Sequence, residues 1–70
     1  MLTPDDWVAK AAGDVQLGDR LRLGSGTELT VTRIESGFLG FDDLVCFIED
    51  SEAQWLAQAT WSKSEIEVRR

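Results

Sequence analysis

Residues 15–34 read VQLGDRLRLGSGTELTVTRI, two runs of alternating apolar and polar side chains on either side of the turn sequence GSGT. A period of two is the signature of a half-buried strand, and a short glycine-containing connection joins two such strands antiparallel. Val15, Leu17, Leu21 and Leu23 fall on one face of the first run, with Gln16, Arg20 and Arg22 on the other. Gly18 and Asp19 mark a bend within it. In the second run, residues 27–35, Leu29 and Val31 oppose Thr30 and Thr32, and the apolar phase changes at Ile34. Such a change occurs where a strand bulges or coils from one sheet into another. A lone hairpin is marginal in water, so the rest of the chain must give this one a surface to close against.

Upstream, Thr3, Pro4 and Asp6 spell a helix start, with Leu2 and Trp7 placed to staple it and Gly13 placed to stop it. This predicts a short helix over residues 4–12, too brief to stand alone and held by packing Trp7 on the sheet. Downstream, Gly37 and Gly40 interrupt an aromatic stretch, and the unbroken apolar run of residues 44–48 reads as the most buried strand. Residues 49–52 read as a polar turn. Residues 53–61 fit a strand, with Trp55, Ala57, Ala59 and Trp61 on one face and Leu56 as the exception, or a helix capped by Ser51. The strand is preferred, because the polar turn after Trp61 and the alternating EIEV then return the chain to its first strand.

Seventy residues with three tryptophans and three phenylalanines define one small folded domain, residues 1–70. A chain of this size buries only about 60% of its unfolded surface, so its stability is marginal or shared with a partner. The net charge of −6 opposes phosphate backbones, which makes nucleic acid an unfavourable partner. Neither a basic, apolar leader nor a run of ~20 apolar residues is present, and the expectation is a cytoplasmic protein that does not span a membrane. The single Cys46 leaves no partner for an internal disulfide, consistent with a reducing compartment.

Without histidine, the usual general base and the commonest zinc ligand are both missing. Cys46 lies within LVCFI with no basic neighbour, the setting of a core thiol rather than a nucleophile. Asp42 with Asp43, and Glu49, Asp50 and Glu52, lack the ligand spacing and turn glycine of a calcium loop. GSGT lies between strands with no helix after it, so it reads as a hairpin turn and not as a phosphate loop. The expectation is therefore a non-enzymatic protein with no cofactor and no metal.

The order of these features (a strand with a GD bend, a glycine turn, TVTRIE, an apolar strand ending in acids and a terminal WSKSEIEV) resembles the small SH3-like barrels of the Tudor and KOW type. Many small phage and bacterial accessory proteins belong to that group. The resemblance covers residues 15–68 and implies a mainly β, five-stranded barrel, here preceded by the short helix. It also implies an adaptor that binds peptides, modified side chains or nucleic acid through its loops. Two specialised ligands are not carried over. The loop of residues 24–27 has no aromatic for a methyl-lysine cage, and the chain has no tyrosine for a proline-peptide groove.

Trp7, Phe47 and one late tryptophan are expected to fill the core. Phe38 and Phe41, among glycines and beside Asp42 and Asp43, are the candidates for an exposed apolar contact with a polar rim, joined by Trp55 or Trp61. This points to an interaction module for a protein partner with a basic or apolar patch, steered by the acidic belt of residues 42, 43, 49, 50 and 52. Two alternatives stand beside it. One is a nucleic-acid adaptor using Arg20, Arg22 and Arg33, a set that also fits solubilising pairs with Glu28 and Glu35; the other is a structural homodimer.

Overall fold

The computed structural model describes residues 6–70, with Phe38 described by its backbone alone. Its strands are β1 (Trp7–Ala11), β2 (Arg20–Arg22), β3 (Glu28–Thr30), β4 (Arg33–Ser36), β5 (Leu44–Asp50), β6 (Trp55–Trp61) and β7 (Glu65–Arg69). A short 3-10 turn follows β1 (Ala12–Asp14), and a turn interrupted by left-handed backbone at Leu39 follows β4 (Phe38–Gly40). The strands form two antiparallel sheets, one of four strands in the order β1-β7-β2-β3 and one of three in the order β4-β5-β6. The chain is thus mainly β, with seven strands among the described residues where five were expected.

The expected helix over residues 4–12 is not formed where the chain is described. Residues 7–11 are strand β1, paired with β7 from Trp7 opposite Arg69 to Ala11 opposite Glu65; Leu2, Thr3 and Pro4, which carried the capping argument, lie outside the described residues. A helix of this length has little stability of its own. Pairing with β7 satisfies the same backbone groups and buries Trp7 as well. Gly13 stops the strand instead of a helix, its amide donating to Ser62 O at 2.9 Å.

The hairpin is present but shorter than its alternation implied. Strand β2 begins at Arg20, and residues 15–19 form a turn in which Gln16 N donates to Asp19 Oδ2 at 2.9 Å and Gly18 adopts φ +91°. Val15 stays buried, whereas Leu17, expected on the same inner face, is exposed on that turn. The second run divides into β3 and β4, and between them the chain crosses from one sheet to the other. Thr32 clamps the crossing to β5: its amide and hydroxyl both donate to Ile48 O, and the hydroxyl accepts from Asp50 N at 2.9 Å.

Strand β5 is the central strand of its sheet and is buried from Val45 to Glu49. It runs through Glu49 and Asp50, which were expected in a turn. Residues 55–61 form a strand, as preferred from the sequence. Phe47, Leu21, Leu29 and Val31 are fully enclosed between the sheets, with Val15, Val45 and Val68 around them. Ile34, Leu56 and Ile66 close the margin of this core.

Candidate interaction site

The site is the outer face of the three-stranded sheet, and the pairing of β5 with β6 defines it. Residues directly opposite one another in an antiparallel pair share a face. Val45 opposite Thr60, Phe47 opposite Gln58 and Glu49 opposite Leu56 therefore make one face. Val45 and Phe47 belong to the core, so that face is the inner one. The outer face then carries Leu44 opposite Trp61, Cys46 opposite Ala59, Ile48 opposite Ala57 and Asp50 opposite Trp55, with Arg33 and Glu35 contributed by β4. The alternation read from residues 55–61 is real, but its apolar face looks outward. Leu56, the exception to the pattern, is the side chain that packs on the core.

Trp55 and Trp61 are 60% and 50% exposed. Neither is the late core tryptophan expected from the sequence, a place that Leu56 takes. Phe41 is 55% exposed and stands edge-on to Trp61, with ring centroids 5.8 Å apart and planes at 81°. Trp55 lies six residues along the same strand face, roughly 20 Å away at strand rise. The expected cluster is thus partly assembled: Phe41, Asp42, Asp43 and Trp61 meet at one end of the sheet, and Trp55 sits at the other. Sequence reading missed Leu39, which is 75% exposed beside Phe41 in the chain. Its position between Gly37 and Gly40 was the available signal.

The acidic belt divides in the same way. Asp42 and Asp43 are exposed in the turn that leads into β5, where Asp43 O accepts the amide of Ser62 at 2.7 Å. Asp50 ends β5 opposite Trp55, and Glu52 follows in the turn beyond it. Glu49 does not belong to a solvated belt. It is only 8% exposed and accepts Thr30 N at 2.7 Å and Ser51 Oγ at 3.4 Å. The Thr30 amide, followed by the Gln54 side chain, holds its carboxyl below the ordinary glutamate value.

Each of the three candidate arginines is ion-paired. Arg20 Nε bonds Glu28 at 2.8 Å, and its Nη1 donates to Thr30 Oγ1. Arg22 pairs with Glu67 and lies over the ring of Trp7, 4.5 Å from its centroid. Arg33 reaches Glu35 at 3.6 Å. Arg22 also lines an open cleft of about 300 Å³ between the sheets, with Gln58, Thr60, Ile66 and Glu67. Cys46 is buried, and that burial, reinforced by Glu35, pushes its thiol pKa up. The protonated thiol is a packing group at neutral pH.

Among the described residues no three His, Cys, Asp or Glu side chains converge as a metal site, and no helix is long and apolar enough to cross a membrane. No family model matches the chain, and no characterised protein or solved structure matches it either.

Proposed function

We propose that this protein is a small SH3-like adaptor, an open barrel of two sheets without catalytic chemistry of its own, that docks a polypeptide on the outer face of β5 and β6. The observation that carries this reading is the pairing of Phe41 with Trp61, two large rings half in solvent beside Asp42 and Asp43. Exposed aromatics rimmed by charge are the usual anchors of an interface, and the acids favour a partner with a basic margin around an apolar patch. The arginines offer less to a phosphate backbone, since each is held by a carboxylate of the same chain.

The test uses immobilised wild-type protein beside Phe41→Ala and Trp61→Ala, each checked by circular dichroism and thermal unfolding. Both variants are expected to keep the fold, losing on the order of 1 kcal/mol from the broken ring pair. A polypeptide retained from a lysate of the source cells by the wild type should be lost by both. Equal retention by the variants, or no polypeptide retained by the wild type, overturns the reading; so does unfolding of Phe41→Ala, which would make that ring part of the core.

A further inference from the structure

We propose that β6 is a self-complementary sheet edge and that a second copy of this chain adds to it antiparallel, about a two-fold axis at Gln58. The inference rests on reading the outer face of β6 as an interaction surface, and it assigns the free edge of that strand to a second copy of the chain.

Among the described residues, four strands lie at sheet edges: β1, β3, β4 and β6. Exposed edges are normally protected by brevity or charge. Strand β3 has three residues and includes Glu28, β4 carries Arg33 and Glu35, and β1 carries Lys10. Strand β6 is WLAQATW, seven residues without a charge in a chain of net charge −6. It alone combines length, neutrality and a row of apolar side chains.

Its free hydrogen-bonding groups are set by alternation. Ser62 N donates to Asp43 O, so the bonded positions continue at Thr60 with Val45, Gln58 with Phe47, and Leu56 with Glu49. The bond from Thr32 N to Ile48 O fixes the same phase from the other side of β5. The amides and carbonyls of Ala57 and Ala59 consequently point away from β5, toward the open edge. Gln58 Nε2 turns back to donate to Ala59 O at 2.9 Å, covering an acceptor that an incoming strand would use.

The sequence of β6 identifies that strand. W-L-A-Q-A-T-W reads nearly the same in both directions around Gln58. Antiparallel pairing centred there sets Ala57 opposite the partner copy's Ala59 and Trp55 opposite its Trp61, all on the outer face. Alternation directs the backbone groups of Ala57 and Ala59 and the amide of Trp61 at the edge, while Trp61 O already accepts the amide of Ser64 at 3.0 Å, so side-chain register and hydrogen-bond phase agree over the centre of the seam. A slip of one residue would break both. No charge faces a like charge across the seam, and the two three-stranded sheets become one of six strands. Four half-exposed tryptophans and two short strand edges offer on the order of 1,000 Å², the low end for a specific interface. The dimer is accordingly concentration-dependent, and it strengthens with salt as repulsion between two acidic copies is screened.

Sedimentation equilibrium of the full chain over a wide concentration range, at low and high salt, reads the association directly. The expected result is a monomer–dimer equilibrium shifted toward dimer by salt. Ala57→Pro removes an amide that has no partner among the described residues, and proline is tolerated at such an edge position. It should abolish the dimer with the circular dichroism spectrum retained. Ala57→Lys serves the same purpose without altering the backbone. The register is tested by Gln58→Cys, which places two thiols across the axis at a Cα separation near 4.5 Å, where a disulfide forms under mild oxidation. A wild type that stays monomeric at millimolar concentration overturns the proposal, as does undiminished dimer in a folded Ala57 variant or absence of the Gln58→Cys cross-link. A monomer that still retains a polypeptide through Phe41 and Trp61 would leave the adaptor reading intact and this one refuted.

Discussion

Glu49 Oε1 accepts the backbone amide of Thr30 at 2.7 Å, a bond from the central strand of the three-stranded sheet to the edge strand of the other. The carboxylate sits at the margin of the core and requires a charge-assisted donor there, which the last residue of β3 supplies. Because the folded state holds the Glu49 carboxyl below the ordinary glutamate range, the unfolded chain takes up this proton first as the solution is acidified. The stabilisation is complete above the unfolded value and disappears as pH falls through the folded one. Urea titrations between pH 3 and 7 should show wild-type stability falling on the acid side, and Glu49→Gln should be weaker at pH 7 with a shallower acid decline. Identical profiles for the two proteins would remove Glu49 from this role.

Phe47 and Phe41 separate core from surface. Phe47 is fully enclosed between the sheets, so Phe47→Ala should cost about 3–5 kcal/mol, a large part of the whole stability of a domain this small. The expected product is unfolded at room temperature by circular dichroism. Phe41→Ala should remain folded in the same measurement.

Arg22 over Trp7 is the second anchor of β1. Its guanidinium stacks on a buried indole and meets Glu67, so Arg22→Ala should destabilise by about 1–2 kcal/mol, more than an exposed ion pair alone provides. Arg22→Lys keeps the charge without the flat stack and should recover only part of that loss. Chemical denaturation followed by tryptophan fluorescence measures both.

Leu39 is the one described non-glycine residue with positive φ, at +56°, and its side chain makes little use of burial. A left-handed leucine costs roughly 1 kcal/mol relative to residues that accept the conformation. Leu39→Asn should therefore raise the unfolding midpoint, whereas Phe41→Ala in the same loop region should lower it.

The parts of this fold legible in the sequence were those in which local pattern and burial agree. The run of residues 44–48 had one reading, and it is the buried central strand. The turn after Leu23 had its glycines, and Gly26 takes φ +90° there. Residues 7–11 misled because capping residues write a local preference, while Trp7 responds to Arg22 and Val68 responds to Val8, contacts far apart in the chain. For the site, alternation placed Trp55 and Trp61 on one face. It could not say that this face looks outward, since that depends on which side of β5 the other sheet covers. Glu49 was misread for the same reason: a glutamate among acids looks solvated until Thr30 is seen beside it.

Strand β7 lies between β1 and β2 and, among the described residues, joins them in the four-stranded sheet. Trp7 reaches its pairing partner only when Arg69 is in place, so this sheet cannot be assembled from neighbouring segments one hairpin at a time. Closing so long a loop precedes most of the stabilising contacts, which puts folding in the millisecond-to-second range typical of non-local β topologies. Loss of β7 would leave β1 with no strand to join and β2 with β3 alone, so even a short C-terminal truncation should abolish the whole cooperative transition rather than trim its edge.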